Sequence, residues 1–205
     1  MGNKVVESFR YFITLIPQYV SMAETSLIDA QRVLREAGLR EEMKMADFGA
    51  GRAGHFVFPA ANIVGDEGEV FAVDVAKDVL QMIDGRSKLF GIVNLHTLWA
   101  DMERVGAVDI PEHSLDLVLL VNNLWCMKDV ASTLGEVRRV LKLDGQLFGV
   151  DWRRRTDYPV APPEQKRLDA MQAEALLLKA GFVKIKDIRA GEHHWGMLTK
   201  VVAAG

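Results

Sequence analysis

Cysteine is all but missing from this chain. Cys126 is the only one in 205 residues, which excludes an intrachain disulfide framework and a cysteine-based zinc site. Long hydrophobic runs are missing too, and none reaches the length that crosses a bilayer. Surplus positive charge is absent: the formal net charge is −3, without the general electrostatic footprint of a nucleic-acid or membrane binder. Met1–Arg10 is mixed and polar, without the apolar core of a signal peptide. The expectation is a cytoplasmic protein with no nucleic-acid partner and no membrane partner. No internal repeat or low-complexity segment is visible. The length fits one large domain, or one domain with a small appendage.

What is present is concentrated in Met45-Ala-Asp-Phe-Gly-Ala-Gly-Arg-Ala-Gly-His55. An apolar run reaches Asp47, glycines follow at 49, 51 and 54, and a helix-like segment comes next. Glycine permits positive φ and close approach of a ligand to the backbone, and the N-terminus of a helix directs unpaired N–H groups back at such a turn. The pattern reads as a nucleotide-type pocket at the carboxyl end of a first strand. Asp47 before the first glycine and Asp74, well beyond the last, sharpen it.

Two periodicities alternate along the rest of the chain. Helices are predicted over 23–37, 53–64 (with Pro59 inside), 77–84, 130–141 and 168–180. Strands are predicted over 43–48, 69–73, 93–99, 114–121 and 145–150, the last after an Asp144-Gly145 turn. Residues 152–165 read as an irregular loop, since they hold three of the six prolines. Two late strand-like runs, 182–189 and 195–202, form a hairpin signal. Alternating strands and helices imply right-handed crossovers and a mainly parallel sheet. The fold class is therefore α/β, doubly wound and mostly parallel, ending in an antiparallel hairpin.

Asp47-Phe-Gly-Ala-Gly51 resembles the glycine motif of class I S-adenosylmethionine (SAM)-dependent methyltransferases. Asp74, ending Val70-Phe-Ala-Val-Asp74, matches the acid that commonly closes the family's second strand. Asp101 in Trp99-Ala-Asp-Met102 matches the acid after its third. Leu134–Leu147 resembles the segment running into and through its fifth strand, and the closing helix with two strands resembles its sixth and seventh. Val150-Asp-Trp-Arg153, Ala161-Pro-Pro163 and His193-His-Trp-Gly196 are similar to a subgroup of small methyltransferases of the ubiquinone/menaquinone-biosynthesis type. That subgroup often carries a His-Glu pair after strand four. Here the position reads Asn123-Leu-Trp-Cys126, so no catalytic base is assigned.

The resemblance implies a seven-stranded Rossmann-like methyltransferase domain over 41–205, with an N-terminal helical lid or cap over 1–40 that includes aromatic-rich Phe9–Tyr19. It implies a SAM site. Gly49, Gly51 and Gly54, with Phe48 and Ala50 between and before them, let backbone approach the cofactor. Asp47 receives its ammonium, Asp74 its ribose hydroxyls and Asp101 its adenine amino group. Val75 and Met102 sandwich the ring, and Asn122 and Asn123 line the methionine and methyl. Trp125, Arg153 and Tyr158 are candidate contacts for a small-molecule acceptor, and S-adenosylhomocysteine (SAH) is the expected product.

Each residue also has a plainer reading. Asp74 caps the following helix, Asp101 is a solvated loop acid, Cys126 is a small buried residue, and His193 and His194 belong to a turn. The motifs of base-flipping enzymes, Asn-Pro-Pro-aromatic above all, are absent, and no metal triad is visible. Two other classes stay open. One is an NAD-dependent oxidoreductase, whose fingerprint Gly49, Gly51, Gly54 and Asp74 also satisfy. The other is a SAM-binding protein without catalysis. The acceptor and the oligomeric state are not legible.

Overall fold

The apolar run before the glycine turn becomes β1 (Lys44–Phe48) in the computed structural model, which describes residues 27–202. It lies inside a seven-stranded sheet with β2 (Glu69–Asp74), β3 (Leu95–Trp99), β4 (Leu115–Val121), β5 (Leu141–Trp152), β6 (Phe182–Asp187) and β7 (His194–Val201), in the order β3-β2-β1-β4-β5-β7-β6. Pairing is parallel from β3 through to β5. β7 then runs antiparallel to both β5 and β6. The predicted α/β class and the closing hairpin hold, with β7 inserted between its partner β6 and the rest of the sheet.

Both faces are covered, as near-continuous apolar strands require. Successive residues alternate between two cores. Met45, Val70, Leu119 and Phe148 join α1 (Ala30–Glu36), α2 (Val57–Val64) and α3 (Lys77–Phe90) on one side. Ala46, Val118, Leu120 and Leu147 join α4 (Val130–Val140) and α5 (Ala170–Lys179) on the other. The chain leaves β1 toward β2 and later returns to β4 on β1's other side. The carboxyl ends of β1 and β4 therefore flank the switch point where α/β sheets open a crevice.

Several boundaries differ from the sequence reading. α2 starts at Val57 rather than Ala53, so Pro59 falls in its first turn, where the missing N–H has no intrahelical partner anyway. α3 continues past Asp84 to Phe90. Gly85 faces open space and does not end it, and the stop is Gly91 in the left-handed conformation. Asp144-Gly145 does not precede β5 but lies within it. The partner of Leu115 is Leu141 and that of Leu117 is Gln146, so the intervening residues bulge out of the ladder. Of the segment 1–40, only 27–40 is described. It carries α1, whose Asp29 side chain accepts from the Arg32 N–H at 3.0 Å and whose Val33 and Leu34 are buried in the core. Phe9–Tyr19 lies outside the described residues.

No helix among the described residues is long and apolar enough to cross a membrane.

Candidate functional site

β1 ends on Phe48, and the chain turns sharply. Gly49, Gly51 and Gly54 all have positive φ, at 83°, 65° and 57°, a conformation that costs other residues roughly 1–2 kcal/mol. The N–H groups of Gly49 and Ala50 both donate to the Val73 carbonyl, at 2.8 and 3.1 Å. The turn is thereby fastened to the end of β2. Asp74, the last residue of β2, completes the attachment: one carboxylate oxygen accepts from the Gly51 N–H at 3.2 Å and the other from the Ala76 N–H at 2.9 Å. Ala76 itself holds the cap position of α3, so Asp74 braces the cap without being it. A carboxylate accepts about four hydrogen bonds, and these two leave it half free.

Asp47 is the unusual group. It is 1% exposed, and its Oδ1 has no hydrogen-bond partner. Burial, reinforced by the nearby Asp74 charge, pushes its pKa up to about 7. A buried carboxyl oxygen with no partner carries a desolvation cost that a native fold normally avoids. It fits a site that receives a cationic donor.

Asn122 and Asn123 follow β4 and differ sharply. Asn123 donates through Nδ2 to the carbonyls of Phe48, at 2.8 Å, and Val121, at 3.0 Å. It buttresses the glycine turn. Asn122 has φ 57°; its N–H reaches the Val150 carbonyl at 2.8 Å, while both polar atoms of its side chain are buried without partners. Trp125 turns its indole N–H onto the Asn122 carbonyl at 2.8 Å.

On the other flank, Val75 is exposed and its carbonyl accepts from Trp99 Nε1 at 2.9 Å. Asp101 is an exposed loop acid that accepts from the Glu103 N–H at 3.0 Å, and Met102 packs against the second core. Their loop is pinned from below. Glu136, fully buried on α4, accepts from the N–H groups of Gly106 and Val108, at 2.6 and 2.9 Å, and from Arg139 at 2.8 Å. Burial alone would raise the Glu136 pKa. The Arg139 guanidinium and the two N–H groups outweigh it and hold the carboxyl below its ordinary value.

The sequence reading named Arg153 and Tyr158 but missed Asp151 and His194 at the ends of β5 and β7. Asp151 is 1% exposed. Its pKa is pushed up to about 7 by burial, although the N–H groups of Trp152, Trp125 and Leu124 oppose the rise. Its Oδ1 accepts from the Trp152 N–H at 2.7 Å, while its Oδ2, like Asp47 Oδ1, is buried without a partner. Trp152 and His194 pair across β5 and β7, with ring centroids 4.3 Å apart. His194 opens β7 rather than sitting in a turn. Tyr158 stacks on Trp152 at 6.0 Å and meets His193 at 4.7 Å. Arg153 is tied down by its Nε to the His194 carbonyl at 2.9 Å. The only sequence signal for this group was the Asp-Trp-Arg run beside His-His-Trp. Cys126, expected to be buried, is exposed, with Sγ 3.1 Å from the Asn123 carbonyl. Among the described residues no three His, Cys, Asp or Glu side chains assemble as a metal-ligating group.

The sheet order, the glycine turn at its switch point and the inserted last strand define the class: a Rossmann-like protein of the methyltransferase fold. Residues 39–194 match the sequence model of the methyltransferase-domain family, and the chain belongs to that family. It is 30% identical over 162 residues to the ubiquinone/menaquinone biosynthesis C-methyltransferase UbiE of Cronobacter sakazakii, covering 78% of this chain and 59% of that protein. It is 31% identical over 121 residues to the Shewanella oneidensis UbiE, covering 58% of this chain and 46% of that one. The chain thus spans about half the length of these relatives. Among solved structures, a SAM-dependent methyltransferase from Aquifex aeolicus superposes with a TM-score of 0.82 at 23% identity, covering 92% of this chain and 98% of that one. The [4+2]-cyclase SpnF superposes at 0.67 with 15% identity, covering 85% and 81%. One fold thus accommodates different chemistries, and function must be argued from the site.

Proposed function

We propose that this protein transfers a methyl group from SAM to a small, partly apolar acceptor and releases SAH. The observation that carries the reading is Asp47: a buried carboxyl with a partnerless oxygen, directly before a three-glycine turn braced by Asp74. When bound, SAM supplies a methyl group activated by its sulfonium. Asp47 would hold the ammonium by a charge-assisted hydrogen bond. Gly49, Gly51 and Gly54, with Phe48 and Ala50, would present backbone to it. Asp74 would accept the ribose hydroxyls with its remaining lone pairs, and Asp101, Val75 and Met102 would enclose the adenine. Asn122 would face the reacting end, while Asn123 acts through the turn it buttresses.

Methyl transfer is an in-line displacement, and much of its acceleration comes from alignment; well-oriented reactions gain roughly 7–11 kcal/mol this way. The chain's share of the task is to fix the donor on the glycine turn and the acceptor against Trp125, Tyr158 and their neighbours. A base is required only if the acceptor must lose a proton, and none is assigned.

Calorimetry with SAM, SAH and NAD tests the reading. SAM and SAH should bind and NAD should not; tighter binding of NAD would move the chain to the dehydrogenase class. Turnover of SAM over an acceptor library that includes hydroxylated rings, the relatives being named for quinone biosynthesis, then separates an enzyme from a SAM-binding protein without catalysis. Transfer RNA, ribosomal RNA and duplex DNA should give neither a gel shift nor methylation at physiological salt, where non-specific phosphate contacts are weak.

A further inference from the structure

Directly after β5 come three consecutive arginines, and all three line one cavity. Its volume is about 670 Å³, and Glu164, Asp169 and Trp195 share its wall with Arg153, Arg154 and Arg155. That is the size of a small-molecule pocket. The run is held by backbone bonds. The Arg153 N–H donates to the His193 carbonyl at 2.8 Å. Arg167 donates through Nη1 to the carbonyls of Arg154, at 3.0 Å, and Thr156, at 2.9 Å.

The three guanidinium groups, by contrast, are little used. Arg153 commits its Nε to the His194 carbonyl, and its terminal nitrogens have no partner among the described residues. Arg154 comes no nearer than 4.0 Å to Glu164. The Arg155 side chain has no partner among the described residues. Of the two carboxylates, Asp169 already accepts from the Gln172 N–H at 2.9 Å as the cap of α5. Three cations thus share the wall with two anions, and forked donors are left over.

We propose that this cavity binds an oxyanion, a carboxylate or a phosphate, carried by the acceptor. The inference rests on the methyltransferase reading and adds a charged end to its apolar acceptor.

The guanidinium fork matches both oxyanions in a bidentate fashion, whereas an ammonium meets repulsion and a neutral amide forfeits the charge. Trp195 donates its indole N–H to the Leu168 carbonyl at 2.9 Å. It therefore offers the cavity only carbon, which suits an organic oxyanion better than a free one. Glu164 and Asp169 interrupt the positive wall, so it does not form the continuous track that a nucleic-acid backbone needs. Arg153 follows the carboxyl end of β5, and β4 alone separates β5 from β1, which ends at the glycine turn. Adjacent strands lie about 4.8 Å apart, so the two strand ends are roughly 10 Å apart, a span that one small molecule bridges.

Phenyl phosphate, benzoate, benzamide, benzylamine and inorganic phosphate are titrated at fixed ionic strength into SAH-saturated protein carrying ¹⁵N-labelled tryptophan. The Trp195 indole resonance is identified by its loss in Trp195→Phe. Phenyl phosphate and benzoate should move that resonance and bind more tightly than the other three; the tighter of the two identifies the oxyanion. Arg155→Gln should weaken that ligand about ten-fold, the loss of one charge-assisted hydrogen bond, with SAH affinity unchanged, and Arg155→Lys should lose less. Glu164→Gln should tighten it, while Glu67→Gln, on the turn before β2 at the opposite edge of the sheet, should not. Four results would each overturn the subsite while SAH still binds: an unmoved Trp195 resonance, equal binding of benzamide or inorganic phosphate, displacement of phenyl phosphate by SAH, or its displacement by transfer RNA. Failure of SAH to bind the wild-type protein would overturn the methyltransferase reading and the acceptor assignment with it.

Discussion

The Asn123 carboxamide occupies the space that a β-carbon on Gly49 would need: such an atom would lie 2.7 Å from Asn123 Cγ. The two positions are one design, in which the missing side chain of Gly49 admits the amide that holds the Phe48 carbonyl. Gly49→Ala should therefore displace Asn123, abolish measurable SAH binding and lower stability. The double variant Gly49→Ala, Asn123→Ala should recover part of the lost stability but not all, because φ of 83° still costs alanine roughly 1–2 kcal/mol. Urea unfolding of the two single variants and the double closes the cycle. Strict additivity would show that the two positions are not coupled.

Asp74 braces the turn and retains lone pairs. Asp74→Ala should weaken SAH binding by about 1–3 kcal/mol, the cost of stranding hydrogen-bond donors, in a protein that still folds. Calorimetry beside a thermal melt measures both. Unchanged affinity with a lowered melting temperature would leave Asp74 as a brace for Gly51 and Ala76 alone.

Asp47 gives the pH dependence its sign. Its folded pKa of about 7 lies above the ordinary 3.8, so the folded protein keeps a proton that the unfolded chain has released. Its contribution to stability is full below about pH 4, declines as pH rises toward about 7 and is lost above that. Asp151, raised in the same direction, adds to the slope. Urea unfolding from about pH 5 to about pH 8 should show falling stability, with a shallower slope in Asp47→Asn. SAH affinity should run the other way in the wild type, rising as Asp47 ionises, and should be flat in the variant.

The loop that carries Asp101 depends on a pair at its far end. Removing Arg139 leaves Glu136 charged and buried with only the Gly106 and Val108 N–H groups. Breaking such a pair costs about 3–5 kcal/mol, so Arg139→Ala should lower the urea midpoint by a corresponding amount. A loss below about 1 kcal/mol would place the pair with weak surface bridges.

The elements most legible in the sequence were those written locally. Three glycines in one turn, an acid on either side of them and apolar runs of strand length are read without knowing what packs where, and they located β1, β2 and the switch point. The positions misread depend on distant partners. The helix predicted over 77–84 runs on through Gly85 to a left-handed stop at Gly91. Asp144-Gly145 resembles a turn until β4 shows the register jump. Asn123 reads as a pocket residue, and only the approach of Gly49, more than seventy residues earlier, shows that its amide also holds the turn. Asp151 and the Trp152–His194 pair were hidden for the same reason: an acid or a histidine in a polar-looking run gives no local sign that β7 will bury it.

β7 is made after β6 yet lies inside it, and this orders the events of synthesis. β1 through β4 pair with one another and are complete at Val121, so a growing chain can assemble the cofactor half while the remainder is still being made. Trp152 has no cross-strand partner until His194 has been added, some forty residues later. Until β7 slides between them, β5 and β6 each present a bare edge, the kind of surface that recruits foreign strands. The Trp152–His194 contact is therefore among the last contacts of the sheet to form, and a chain interrupted before His194 would leave Trp152 at the end of β5 without its cross-strand neighbour.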